Sequence, residues 1–242
     1  MSRIAIVAAL EREVHPLVKR WRVNDKEYAG CRFRFFENRE VVVVCGGVGA
    51  EAARRAAEAA IATYSPTAIY SAGFAGALDS ALKVGTVIEP RRVVNVSDGS
   101  SVNLERGEGV LVSFGSVATP AQKAKLRDSF SAHAVDMEAA AVAQAAEARG
   151  IKFAVVKVIS DEFDFHFPSM APFVDAAGHF SERRFAAFVG LRPWLWLPVL
   201  RLARNSRRAA AALCAWFSEN LERIVSAEAS PDAHQLEAVN RQ

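Results

Sequence analysis

The sequence predicts an α/β fold in three layers. Three observations carry that reading. Residues 3–9 form a continuous apolar run, as in a strand covered on both faces. Strand-like and helix-like stretches then alternate along most of the chain. Finally, carboxylates follow two apolar strands, in Val135-Asp136-Met137-Glu138-Ala139-Ala140 and in Val158-Ile159-Ser160-Asp161. Acids at the carboxyl ends of buried strands lie where open α/β sheets bind ligands.

The elements follow in order. Glu11–Arg20 starts a helix that Pro16 bends or ends unless it sits in the first turn. Cys31–Phe36 and Val41–Cys45 pair around a polar turn at 37–40. Gly46-Gly-Val-Gly49 breaks the chain before an Ala-rich helix from Ala50 to Tyr64. Ala68–Ala72 is a buried strand ending in Gly73-Phe-Ala-Gly76. Thr86–Val96 is extended, with Pro90 at a bend or edge, and Ser97–Gly109 is a loop. A strand at Val110–Phe114, a helix at Pro120–Phe130, a strand at Ala132–Val135, a helix at Asp136–Arg149 and a strand at Phe153–Ile159 complete the sheet. Beyond it, Asp161-Glu-Phe-Asp-Phe-His-Phe-Pro168 interleaves acids and aromatics, as a loop over a pocket does. Arg204–Ile224 is a last helix. Residues 1–225 read as one domain with an apolar and basic extension over 181–225, and 226–242 as a frayed tail.

Composition narrows the function. At 242 residues and 51% hydrophobic, the chain buries a sizeable core. The net charge of +3 and the lack of a reading motif argue against nucleic acid. Cys31, Cys45 and Cys214 are far apart and read as thiols of a reducing, cytoplasmic setting. The first apolar run is too short for a signal peptide, and no run reaches the roughly 18 residues of a membrane span. His15, His133, His166, His179 and His234 show no paired spacing, so no metal is expected, and Gly46-Gly-Val-Gly49 is not a dinucleotide fingerprint, so no cofactor is either. Each acid also has a plain structural reading: Asp136 as a helix N-cap, Glu138 as a first-turn acid, Asp161 as a cap.

These words resemble the nucleoside phosphorylase and nucleosidase superfamily, in particular its methylthioadenosine/S-adenosylhomocysteine nucleosidase branch. The likeness runs through Ile4-Ala-Ile-Val-Ala-Ala-Leu-Glu-Arg-Glu-Val14, Gly46-Gly-Val-Gly49, Ser71-Ala-Gly-Phe-Ala-Gly-Ala-Leu78, Lys83-Val-Gly-Thr86 and the two acidic motifs. The later segment Arg192-Pro-Trp-Leu-Trp-Leu-Pro-Val-Leu-Arg-Leu-Ala-Arg204 resembles a narrower group, the hopanoid-associated phosphorylase-like proteins regarded as adenosylhopane nucleosidases. The resemblance implies a central mixed sheet flanked by helices, a homodimer, and release of adenine from a 5′-substituted adenosine by hydrolysis. Phosphorolysis is the rival chemistry, and a non-catalytic nucleoside-binding or membrane-associated protein the rival class.

Residue by residue, the resemblance makes Asp161 the acid that protonates the departing base, with Ser160 orienting it. Glu138 holds the ribose and faces the developing cation, Met137 packs beneath the sugar, and Glu13 positions the attacking water. Asp136 stands where the methylthioadenosine enzymes usually carry glutamate, and reads as a support for the substrate-binding groups. Phe74 replaces a serine and reshapes the pocket, while Val117 and Ala118 match the segment that reads adenine's edge. No glycine- and arginine-bearing phosphate loop is present; Arg12 is the lone arginine there, and Glu11 reads as exposed. Phe163, Phe165 and Phe167 either dry the surroundings of Asp161, which would favour its acid form, or are plain core. Residues 185–208 hold Trp194 and Trp196 beside Arg201, Arg204, Arg207 and Arg208. Such a segment packs on the domain, on a partner subunit, or on a lipid surface as a peripheral contact.

Overall fold

The computed structural model describes residues 3–165, 171–173, 175, 178 and 181–229. His166, Phe167, His179, His234 and the tail from 230 to 242 lie outside the described residues.

The layers follow from strand alternation. In β1 (Ile4–Ala8) and β4 (Val41–Cys45), Ala5, Val7, Val42 and Val44 face one way, against α2 (Ala50–Tyr64) and α4 (Ala139–Glu147). The alternate residues Ile4, Ile6, Val41 and Val43 face the other way, against α1 (Glu11–Val18) and α6 (Trp196–Ala229). Both faces of the strands are dry, and each buried aliphatic side chain contributes about 1.5–3 kcal/mol. The alanines of α2 let it sit close to the sheet: a Cβ on Gly46 would come within 2.5 Å of the Ala56 Cβ.

The sheet is mixed, as expected. β1 runs parallel to β4 and to β5 (Ala68–Ala77), and β5 runs parallel to β11 (Lys152–Asp161). β2 (Arg22–Tyr28), β3 (Cys31–Asn38) and β4 extend one side as an antiparallel meander. On the other side the sheet forks at β5. β11 follows it from Ala68 to Gly76 and also pairs with β6 (Val87–Ile88), while β10 (Ala134–Asp136) pairs antiparallel with its last two residues. From β10 the sheet continues through β9 (Val110–Ser113) and β7 (Arg92–Asn95) to β8 (Ser101–Asn103).

Several expectations need correction. β2 is a strand the sequence hides, because Arg-Val-Asn-Asp-Lys-Glu-Tyr is an edge, where charge is tolerated and discourages further pairing. β5 does not stop at Ala72 but runs through Gly73 and Gly76, and β8 lies inside the expected loop of 97–109. α4 starts at Ala139 rather than Asp136, since Asp136 ends β10 and accepts the Ala139 N–H at 2.8 Å. Pro16 sits in the second turn of α1, which ends two residues later at Val18. α6 begins at Trp196, with Pro198 in its first turn, and reaches Ala229, so residues 226–229 belong to it. Between β9 and α6 lie α3 (Pro120–Phe130) and α5 (Glu182–Gly190), beside the helix and strands already described.

Candidate active site

A cavity of about 350 Å³ opens where the sheet forks. All nine side chains singled out in the sequence line it: Glu13, Phe74, Val117, Ala118, Asp136, Met137, Glu138, Ser160 and Asp161. They come from the first turn of α1, the end of β5, the segment before α3, the end of β10 with the turn after it, and the end of β11. Contacts that no local pattern specifies bring them together.

One wall is a buried charge cluster. Lys157 is 1% exposed, and its Nζ lies 2.8 Å from Asp136 Oδ2 and 3.9 Å from Glu138 Oε2. Asp136 is fully engaged: Ser113 Oγ donates to Oδ1 at 2.6 Å, and the Ala139 N–H and Lys157 share Oδ2. That arrangement suits a support rather than a substrate contact. Glu138 accepts from the Gly49 N–H at 2.9 Å and from the Met137 N–H at 3.3 Å. Gly49 is the N-cap of α2, with φ 97°, so the glycine loop aims the positive end of that helix at the Glu138 carboxylate.

Glu13 completes this end. It is buried, and its Oε2 has no hydrogen-bond partner among the described residues. A Cβ on Gly73, at φ 142°, would lie 2.7 Å from that oxygen. The glycine therefore makes room for the acid, which is why β5 carries it mid-strand. Burial, reinforced by the charge of Glu138, raises the Glu13 pKa from 4.5 to about 7 against the opposing pull of Lys157 and Arg12. Burial also raises that of Glu138, against Lys157. For Lys157, burial alone would lower the value, but Asp136 and Glu138 raise it. Three carboxylates around one ammonium leave surplus negative charge, and a raised pKa lets a proton offset it.

The opposite end is built on Asp161. Ser160 Oγ lies 2.8 Å from Asp161 Oδ1 and 3.4 Å from the Ala75 carbonyl. Oδ2 accepts from Lys123 Nζ at 2.5 Å. A Cβ on Gly76 would lie 2.8 Å from Oδ2, so here too a glycine of β5 admits a carboxylate. Gly73 and Gly76 are three residues apart, roughly 10 Å of strand, and the two acids bracket the cavity.

Much of the rest of the lining is apolar, with Leu10, Val48, Phe74, Val135, Met137 and Ala118 among others, and Arg12, Ser116 and Lys123 are the polar side chains beside them. Val117 is exposed at the mouth. Arg12 is exposed where it meets the cavity, and Glu11 is exposed beside His15 and Arg34. Phe163 and Phe165 do not form the dry wall considered for them. They are half-buried outside the cavity, under Arg127 at 5.2 Å and Arg201 at 5.8 Å. Sequence reasoning missed Lys157 and Lys123. Lys157 had a signal, since a lone charge inside the apolar run Phe153–Ile159 requires a partner; Lys123, at an ordinary helix position, had none. His133 Nδ1 accepts the Val110 N–H, and among the described residues no three His, Cys, Asp or Glu side chains converge on a metal position.

Comparison with known proteins places the chain among relatives. A 5′-methylthioadenosine/S-adenosylhomocysteine nucleosidase of Bacillus cereus is 28% identical over 197 residues, covering 66% of this chain and 85% of that one. Among solved structures, the apo 5′-methylthioadenosine nucleosidase of Arabidopsis thaliana matches with a TM-score of 0.71 at 19% identity, over 93% of this chain and 96% of that one. The futalosine hydrolase of Helicobacter pylori matches with 0.63 at 18%, over 90% and 98%. A family model described as the phosphorylase superfamily matches residues 3–114 and 101–189. With that match spanning most of the chain and its relatives named as nucleosidases, the protein is an enzyme of N-glycosidic bonds and belongs to the phosphorylase superfamily.

Proposed function

We propose that the protein is a hydrolytic nucleosidase that releases adenine from a 5′-substituted adenosine of the methylthioadenosine, adenosylhomocysteine or adenosylhopane type. The observation that carries this reading is the arrangement of Glu13, Glu138 and Asp161 around one cavity, with Glu13 Oε2 buried and without a described partner.

Cleaving the bond needs a proton for the base, stabilisation of a cationic sugar and a nucleophile. Asp161, held by Ser160, serves the base end, where proton delivery contributes about 10²–10⁴-fold. Glu138, fixed by two backbone N–H groups, faces the sugar, and its charge opposes the charge that develops there. Met137 and Phe74 pack against the sugar. Glu13, with its raised pKa, takes the proton of the attacking water. Val117 and Ala118 border the base, and Asp136 keeps Lys157 and the turn before α4 in place.

Water is favoured over phosphate by electrostatics. The nucleophile's end holds Glu13, Glu138 and Asp136 against Lys157 and Arg12, and a phosphate dianion there would meet three carboxyl groups against two cations. The test is adenine release from methylthioadenosine, adenosylhomocysteine and adenosylhopane, each with and without phosphate. Turnover without phosphate is expected; strict phosphate dependence, with pentose 1-phosphate as product, overturns the hydrolytic reading.

A second proposal concerns 185–208: a peripheral contact with the cytoplasmic membrane surface, where a lipid-linked nucleoside would reside. Leu191, Trp194, Trp196, Leu197 and Leu200 are 53–79% exposed around the bend between α5 and α6, with Arg201 and Arg204 exposed beside them. No single helix among the described residues is long and apolar enough to cross a membrane. Arg201 stacks on Phe165, four residues beyond Asp161, which ties this surface to the loop beside the cavity. Co-sedimentation with anionic liposomes that weakens with salt supports lipid contact. Concentration-dependent self-association without liposome binding assigns the surface to a homodimer instead.

A further inference from the structure

Asp161 does not stand alone at the base end. Lys123, 1% exposed at the end of the first turn of α3, donates to Asp161 Oδ2 at 2.5 Å and to the Glu162 carbonyl at 2.8 Å. Both Lys123 and Asp161 line the cavity, packed against bare backbone at Gly76, where an added Cβ would lie 3.3 Å from Lys123 Nζ. Both carboxylate oxygens of Asp161 therefore lie within hydrogen-bond reach of a donor, Ser160 Oγ at Oδ1 and Lys123 Nζ at Oδ2. The nucleosidase reading needs a proton on Asp161, and Lys123 Nζ in contact with Oδ2 is placed to hand it one.

We propose that the proton delivered to the departing base is stored on Lys123 and reaches the base through Asp161, Lys123 being a positioning residue that also supplies the proton. The inference rests on the nucleosidase reading. When a nucleoside displaces water, a proton crosses from Nζ to Oδ2, leaving amine and carboxylic acid with no net change of charge. As the C–N bond breaks and its electron pair moves onto the base, the acid gives that proton to a base nitrogen. Water adds to the sugar and its proton goes to Glu13. Glu13 then releases one proton to solvent and Lys123 regains one, so the cycle balances.

Other charges around the pair are placed differently. On α3, Lys125 and Arg127 are exposed, and Arg127 lies over Phe163 and against Asp128. β11 and its continuation bring Asp161, Glu162 and Asp164; β5 offers only the backbone of Gly76; Glu13, Asp136, Glu138 and Lys157 line the other end of the cavity or lie just behind it.

The experiment compares kcat from pH 5 to 10 for the parent, Lys123→Met, Lys123→Arg and Asp161→Asn. The probe is whichever of the three nucleosides above the parent cleaves, together with 4-nitrophenyl riboside, whose leaving group needs no proton. Lys123→Met is expected to lose about 30-fold at pH 8 on the nucleoside. The deficit narrows toward pH 5, as Asp161 draws its proton from solvent instead. Lys123→Arg keeps the charge yet does not restore turnover at pH 8, because a guanidinium does not release its proton. On 4-nitrophenyl riboside the loss in both Lys123 variants is expected to be about 10-fold smaller than on the nucleoside, because that leaving group needs no proton. Full rescue by Lys123→Arg, or a parent-shaped profile in Lys123→Met, overturns the inference. Should Lys123→Met fail to fold, the Lys123→Arg profile decides. Parent-like turnover by Asp161→Asn, or cleavage of none of the nucleosides, marks failure of the nucleosidase reading itself.

Discussion

The cavity and the α5–α6 bend invert the usual partition of side chains in opposite ways. Around the cavity, Glu13, Asp136, Glu138, Lys123 and Lys157 are all buried, the two lysines almost completely. At the bend, Leu191, Trp194 and Leu197 are 71–79% exposed. Burying charge requires partners, and the cavity supplies them within the chain: Lys157 with Asp136, Lys123 with Asp161, Gly49 with Glu138. The exposed residues find no such cover among the described residues. A large exposed apolar patch marks an interaction surface. The difference teaches that one region pairs most of its own charge on folding, whereas the apolar surface of the other is left uncovered by the described residues.

The sharpest way to break this contrast is Lys157→Met. Removing one partner of a buried pair costs about 3–5 kcal/mol, and here it leaves Asp136, Glu138 and Glu13 facing one another. Denaturant unfolding at pH 8 should show that loss, shrinking toward pH 5 as the carboxylates take up protons. A loss below about 1 kcal/mol would mean that the cluster does not need its cation.

Next comes Asp161→Asn, expected to lower kcat on adenine nucleosides by at least about 10²-fold while substrate binding changes little, because proton delivery matters only in the transition state. Steady-state kinetics together with binding measurements check it; near-normal turnover by the folded variant removes Asp161 as the acid.

Glu13→Gln separates function from stability. The folded pKa of Glu13, about 7, lies above its ordinary 4.5, so the folded protein holds this proton more tightly than the unfolded chain. That contribution is complete below pH 4.5 and lost as pH rises through 7. A neutral glutamine escapes the loss. The variant should therefore gain stability on the parent between pH 5 and 8, by up to about 3 kcal/mol, while turnover falls. If the difference in Tm between variant and parent is the same at pH 5 and pH 8, Glu13 is not held as described.

The smallest stability effect is expected at the bend. Trp194→Ala and Trp196→Ala are exposed changes, each within about 0.5 kcal/mol, and cleavage of a small soluble nucleoside should hardly change. Liposome binding should fall markedly in the double variant. Unfolding of that variant would place the tryptophans in a core and erase the comparison.

Local pattern made much of this legible. The apolar runs of β1, β4 and β11, the alanine-rich α2 and α4, and the order of the acidic motifs are written in adjacent residues, and side-chain periodicity converts them directly into layers. The candidate residues were nameable through the family resemblance that those motifs carry, Val117 and Ala118 only by their place along it. Edges were not: β2 is polar because one of its sides is unpaired, so it carries no apolar alternation to read. The extent of β5 was not either. Gly73 and Gly76 look like a strand's end, yet the strand continues because the carboxylates of Glu13 and Asp161 occupy the space their side chains would have filled. What the sequence by itself determined is therefore the three-layer α/β class, most helices and the acids at the strand ends. Only the tertiary structure decided which lysine meets which carboxylate, that Phe163 and Phe165 leave the cavity, and that Trp194 and Trp196 face outward. Periodicity is a property of neighbours along the chain, whereas ion pairing and burial depend on residues dozens of positions apart, such as Lys123 and Asp161, that meet only once the sheet has formed.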